Sequence, residues 1–407
     1  MLNQISGGVC AAKGFTAAGV HCGVKAGSSP DKNDLALILS EKECAAAATY
    51  TMNRVKAAPL YVTMDHLENG VAWGVVANSG NANACCPQSH ENAEAMSVSA
   101  AAATGREPGD FVVASTGVIG QTINISAIQA GLPQAAAALS ADGSDAAAHA
   151  IMTTDTVKKE IAVSLTIGGK EVRLGAIAKG SGMIHPNMGT MLAFITTDCA
   201  ITHEMLSDAL HEVVARTFNR VTVDGDTSTN DTVLLLANGL AGNAEITEKN
   251  SDYMAFCQAL NYINETLSKK MAGDGEGCTA LFEVTVVGAA TKDQAKVLAK
   301  SVITSSLTKA AIFGHDANWG RILCAMGYSG ADFDPEKVDL FFESAAGRMQ
   351  IIKDGVAVDY SEEEATKILS EPEVTAIADI KMGDARATAW GCDLTYDYVK
   401  INADYRS

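Results

Sequence analysis

Residues 179–198 read Lys-Gly-Ser-Gly-Met-Ile-His-Pro-Asn-Met-Gly-Thr-Met-Leu-Ala-Phe-Ile-Thr-Thr-Asp. Near the middle of a 407-residue chain, this run places Gly189 directly before Thr190. A glycine–threonine bond held in a strained turn is open to attack by the threonine hydroxyl through an N→O acyl shift. Hydrolysis of the resulting ester leaves Thr190 as a new N-terminus, its α-amino group beside its own hydroxyl. Such an amine has a reference pKa of about 7.7–8.0 and suits the role of a local base at neutral pH. The constraint on folding follows at once. A cut here yields two pieces of similar length, 1–189 and 190–407, that have to remain associated.

The pattern along the chain is mixed. Ala-rich stretches at 41–57, 91–104 and 125–139 predict helices, with Pro133 breaking or kinking the third. Residues 203–217 predict an amphipathic helix, with Leu206, Leu210, Val213, Val214 and the following Phe218 at helical spacing and Thr202 suited to the N-cap. Short aliphatic or β-branched runs at 35–39, 72–76, 111–114, 161–167, 233–236, 282–287 and 338–342 predict strands. Residues 282–306 read as strand, turn and helix. Without regular strand–helix alternation, a layered α/β sandwich (α+β) fits better than a doubly wound sheet.

Composition removes several functions. The formal charge of −18 and the lack of a Lys/Arg cluster disfavour nucleic acid and anionic membrane surfaces. No apolar run of about 18 residues is present, and the start Met-Leu-Asn-Gln-Ile-Ser-Gly-Gly lacks the charge and apolar core of a signal peptide. The ten cysteines are scattered without a Cys-x-x-Cys pair, as in a protein of the reducing cytoplasm. Nor does the sequence contain His-Glu-x-x-His, Gly-x-Ser-x-Gly or Gly-x-Gly-x-x-Gly, so zincin, serine-hydrolase and dinucleotide readings lose their main support. Neither metal nor cofactor is expected.

Several blocks remain that suit chemistry. Ser115-Thr116-Gly117 ends an apolar run, where backbone N–H groups and a hydroxyl can converge as an oxyanion hole or simply turn the chain. Lys179 heads a Gly-Ser-Gly run that permits close backbone approach, and its charge suits a carboxylate. Gly273-Asp-Gly-Glu-Gly277 presents Glu276 from a tight loop, better matched to a cationic group than to phosphate. Residues 224–232 pack acids and hydroxyls, but position 12 counted from Asp224 is Leu235, where a calcium loop needs a bidentate Glu. Such runs commonly satisfy their own backbone. His185 reads as a bystander, and His315-Asp316 as either a dyad or a loop staple.

Taken together and in order, the blocks resemble the ornithine acetyltransferase family, also called glutamate N-acetyltransferase, of the cyclic arginine pathway. They are Asn78–Ala84, Ser115–Gly120, Met152–Asp155, Lys179–Asp198, Phe218–Asp231, Gly273–Gly277, Asn318–Arg321 and Ile401–Ser407. The resemblance implies cleavage between Gly189 and Thr190, Thr190 as nucleophile, and Thr116 with Gly117 as the oxyanion pair. It also implies substrate contacts from Thr153, Lys179, Thr190, Glu276, Asn402 and Ser407. The implied reaction is ping-pong: acetyl passes from N2-acetylornithine to Thr190 and then to glutamate, with acetyl-CoA a candidate second donor. The alternative is a related N-terminal-nucleophile amidase or aminopeptidase with water as acceptor.

By the same resemblance, the fold is an αββα-type sandwich built from both fragments, which pair as α2β2. A smaller α/β lobe is expected at about 245–345, with the C-terminal tail returning to the active site. The chain departs from the family pattern at Gly189, where alanine is usual, and at Ser181, His185, Ala317, Cys278, Ala280 and the terminal Ser407. None of these departures removes a group the chemistry needs.

Overall fold

A computed structural model describes residues 2–185 and 191–404. Among these residues, nine strands hydrogen-bond in one sheet that folds back on itself as two facing layers. The period-2 alternation of each strand shows how. In Phe111–Val118, Phe111 and Val113 face helices Ser89–Thr104 and Ile125–Ala137, whereas Val112 and Ala114 face the other layer. Leu192–Thr197 and Thr232–Ala237 behave likewise. Ala193, Ile195, Val233 and Leu235 pack under helices His203–Arg216 and Ser251–Ala272, while Leu192, Phe194, Leu234 and Leu236 face inward. The layers therefore run helix, sheet, sheet, helix, as the resemblance implies.

Strand Leu35–Tyr50 joins the two layers. Its first half pairs with Phe15–Val20 and Val71–Asn81, and its second half with Thr232–Ala237. Between them the register shifts across residues 40–43, a bulge that bends the strand. Here the sequence expectation fails, because 41–57 is not a helix. Alanine favours helices by a few tenths of a kcal/mol per residue over most residues. That preference loses to a six-residue ladder and to burial of Ala46 and Ala47 on opposite faces. Helix His203–Arg216, by contrast, starts as expected, with the Thr202 side chain accepting from the Met205 amide.

A second, six-stranded sheet runs from Leu281–Ala289 to Ala385–Cys392 and packs against helices Lys292–Thr304, Trp319–Gly327 and Glu362–Leu369. These bounds differ from the expected 245–345. Helix Ser251–Ala272 belongs to the first sheet, where Tyr253, Phe256, Leu260, Ile263 and Leu267 fill its outer core. Strands after 345 complete the second sheet. The units meet where the Thr222 amide donates to the Trp390 carbonyl at 2.9 Å. The last described element, helix Tyr396–Asp404, follows directly. Among the described residues, no helix is long and apolar enough to cross a membrane.

Candidate active site

Two inward-facing rows of the sandwich end in polar residues at the same place. Val112 and Ala114 face the space between the layers, and Thr116 is the next residue of that parity. Ile177 faces the same space, and Lys179 follows it two residues on, at the strand end. Apolar alternation thus delivers a hydroxyl and an ammonium to one end of the intersheet core.

The strand bearing Thr116 is fixed from both sides. Gly117 has φ +132°, and a Cβ there would lie 2.4 Å from the Gly80 carbonyl carbon, so only glycine fits. The buried Asn230 carboxamide donates to the carbonyls of Ala82 at 2.6 Å and Ser115 at 2.8 Å. The acid- and hydroxyl-rich run 224–232 therefore does more than satisfy its own backbone. Asp224 also accepts from the Met183 and Ile184 amides at 2.6 and 2.9 Å, latching the segment before the expected cleavage point.

Lys179 is only 7% exposed. Burial draws its ammonium below the usual lysine range, while the carboxylates of Asp155, Asp231 and Glu276 oppose that and Lys159 adds to it. Asp155 Oδ2 lies 4.0 Å from Lys179 Nζ and accepts from the Thr153 amide at 3.1 Å; its Oδ1 accepts from the Gly180 amide at 2.8 Å. Burial alone would raise the Asp155 carboxyl, but Lys179, Lys159 and the Gly180 amide hold it down at about 2. Lys159 is fully buried and bridges Asp155 at 2.7 Å and Asp274 at 2.5 Å.

Glu276 forms another part of the wall. Its amide donates to the Ser181 carbonyl at 3.0 Å, and Asn402 Nδ2 donates to its Oε2 at 2.8 Å. The Gly-Ser-Gly run is explained here: a Cβ on Gly182 would sit 2.3 Å from the Glu276 carboxyl carbon. The C-terminal helix does reach the site, through Asn402.

Thr116, Gly117, Thr153, Lys179, Glu276 and Asn402 all line one cavity of about 130 Å³. Gly189, Thr190 and Ser407 lie outside the described residues. The cavity is also lined by Ile184 and Met191, which flank the segment containing Gly189 and Thr190. The lining offers a buried cation, a fixed anion, and a glycine next to a hydroxyl residue, a set suited to a small zwitterion.

Other candidates fall elsewhere. His185 Nδ1 lies 3.1 Å from Thr222 Oγ1, and burial lowers its pKa to about 4, so it is neutral at pH 7. His315 Nδ1 lies 3.2 Å from Ser370 Oγ, while Asp316 accepts from Asn318 Nδ2 at 2.9 Å; the two staple a loop in the second unit. Asn318 caps helix Trp319–Gly327, and Arg321 donates to the Leu307 carbonyl, away from the cavity. Sequence reasoning gave no role to Asp155, Lys159, Asp224 or Asn230. A signal existed for Lys159: it shares parity with Ile161, Val163, Leu165 and Ile167, all core-facing. A lysine in a core-facing register needs a buried partner.

The chain is similar over nearly its whole length to known proteins. The Symbiobacterium thermophilum "Arginine biosynthesis bifunctional protein ArgJ" is 53% identical over 407 residues, covering 100% of both chains. The Clostridium acetobutylicum "Arginine biosynthesis bifunctional protein ArgJ 1" is 50% identical over 394 residues, 97% of this chain and 96% of that one. A solved Bacillus halodurans structure, titled as arginine biosynthesis bifunctional protein argJ, shares 47% identity with a TM-score of 0.50. It covers 52% of this chain and 98% of its own. A sequence model of the ArgJ family matches residues 16–407, and on these grounds the chain belongs to the ArgJ family.

Proposed function

We propose that this protein is a self-cleaving glutamate N-acetyltransferase that moves acetyl from N2-acetyl-L-ornithine to L-glutamate in arginine biosynthesis. The observation that carries this reading is the single cavity that gathers Thr116, Gly117, Thr153, Lys179, Glu276 and Asn402 between Ile184 and Met191. The solved Bacillus halodurans chain adds support. Nearly all of it aligns with about half of this chain, the length expected of one product of a mid-chain cut.

After cleavage, the Thr190 α-amine takes the proton of its own hydroxyl as Oγ attacks the acetyl carbonyl. The oxyanion that forms is received by the Thr116 hydroxyl and the Gly117 amide. Donors of this kind are each worth about 2.7–4 kcal/mol of barrier. Collapse breaks the amide C–N bond, the proton passes to the departing nitrogen, and ornithine leaves acetyl-Thr190 behind. The glutamate amine then attacks the ester and carries the acetyl away. Both substrates bear an α-carboxylate, which Lys179 receives, while Glu276 meets the cationic side chain of ornithine. By the family resemblance, Ser407 is a further substrate contact. Acetyl-CoA is the candidate second donor, in keeping with the word bifunctional in the relatives' names. The two fragments assemble as α2β2 in the cytoplasm.

The test is a product balance. Protein given N2-acetylornithine and glutamate is expected to release ornithine and N-acetylglutamate in equal amounts, and Thr190→Ala to release neither. Acetate release that ignores glutamate would instead identify an N-terminal-nucleophile amidase. Free CoA thiol appearing with acetyl-CoA and glutamate decides the second donor.

A further inference from the structure

The buried charges behind the cavity form a chain of their own. Lys159 Nζ has no solvent contact and lies 2.7 Å from Asp155 and 2.5 Å from Asp274. From Asp155 the chain continues to the Gly180 and Thr153 amides and to Lys179 at 4.0 Å. From Asp274 it continues to the Thr156 amide and hydroxyl, and the Asp274 carbonyl accepts from Ser181 Oγ at 2.7 Å. Three walls of the cavity are tied together in this way: the turn at Thr153, the strand end at Lys179, and the loop carrying Glu276. Asp274 lies after the expected cut and the others before it, so the chain also links the two fragments.

Stability alone does not account for this arrangement. Removing two carboxylates and a lysine from water costs several kcal/mol per ion, and well-packed apolar side chains often replace such clusters without loss. Lys179 needs a charge partner for a different reason. Burial favours its neutral amine, which cannot hold a carboxylate. The groups facing it are Asp155, Lys159, Asp231 and Glu276. Lys159, a like charge, works against Lys179. Glu276 is engaged by Asn402, whereas Asp155 accepts from the Gly180 amide directly after the lysine and from the Thr153 amide of its own turn.

We propose that Asp155 is a positioning residue that keeps the Lys179 ammonium charged and aimed at the substrate carboxylate, with Lys159 and Asp274 locking that geometry to the Glu276 loop. This rests on the reading of Lys179 as the carboxylate anchor.

The experiment is the pH dependence of kcat/KM for N2-acetylornithine in wild type and Asp155→Asn, each first shown by mass to be cleaved. Loss of the charge at Asp155 lowers the Lys179 pKa. The alkaline limb should therefore move down by about 1–3 pH units, with KM rising more than kcat falls. In a Lys179→Arg background the same change should leave the limb in place, because a guanidinium stays charged. Should Asp155→Asn fail to fold, Asp155→Glu carries the test: it keeps the charge, and the limb should stay near its wild-type position. An unmoved limb in Asp155→Asn, an equal shift in the Lys179→Arg background, or a displaced limb in Asp155→Glu overturns the proposal. A wild-type protein that transfers no acetyl overturns the functional reading instead.

Discussion

Asn402 Nδ2 donates to Glu276 Oε2 at 2.8 Å, joining the last described helix to the loop at Gly273–Gly277 across 126 residues. Helix Tyr396–Asp404 thus contributes to the wall of the cavity through Asn402. Asn402→Ala should raise KM for N2-acetylornithine about tenfold, the scale of one hydrogen bond to a charged group. Steady-state kinetics checks it; an unchanged KM would detach the tail from the site. A bulky C-terminal tag should harm turnover more than an N-terminal one.

Gly182→Ala tests the same wall from the other side. The new Cβ would lie within 2.4 Å of both Glu276 carboxylate oxygens, so the side chain must swing off Asn402. The expected outcome is a rise in KM for N2-acetylornithine that is larger than the rise for glutamate, since only ornithine brings a cationic side chain to Glu276. Equal rises for both substrates would argue that Glu276 does not distinguish them.

Gly117→Ala probes the oxyanion pair. The added methyl meets backbone only, at 2.4 Å from the Gly80 carbonyl carbon and 2.5 Å from the Asn81 nitrogen, on a residue with φ +132°. The strand has to shift, carrying the amide out of line. Measured on cleaved protein, kcat should fall on the order of 10²–10³-fold. A kcat within twofold of wild type would remove Gly117 from the chemistry.

Acid stability follows from Asp155. Its folded pKa of about 2 lies below the unfolded carboxylate value of about 3.9. A depressed pKa contributes stability that is present above about pH 4 and is lost as pH falls toward 2. The contribution is about 3 kcal/mol. The difference in thermal midpoint between wild type and Asp155→Asn should therefore shrink as pH drops through that window. A difference that stays constant from pH 5 to about 2 would contradict this sign.

Local pattern made part of this structure legible. Short aliphatic runs at 111–114 and 233–236 marked the strands Phe111–Val118 and Thr232–Ala237, and helical spacing with a threonine cap marked His203–Arg216. The motif blocks named Thr116, Gly117, Thr153, Lys179, Glu276 and Asn402, which stand at strand ends, a turn, a loop and a helix that border one cavity. What stayed hidden is non-local. Ala45–Tyr50 carries a helix-forming composition, and only its partners at 232–237 make it a strand. Lys159 and Asp274 are 115 residues apart, so no window along the chain contains their pairing. The second sheet includes strands Glu373–Asp379 and Ala385–Cys392, well past the expected end of the smaller lobe near 345.

The most direct measurement of the central claim is the intact mass of denatured protein before and after N2-acetylornithine. Two polypeptides divided between Gly189 and Thr190 are predicted. The 190–407 piece should gain one acetyl group with N2-acetylornithine and lose it when glutamate is added. A single 407-residue species, or cleaved protein that never carries an acetyl group on the 190–407 piece, would contradict the account.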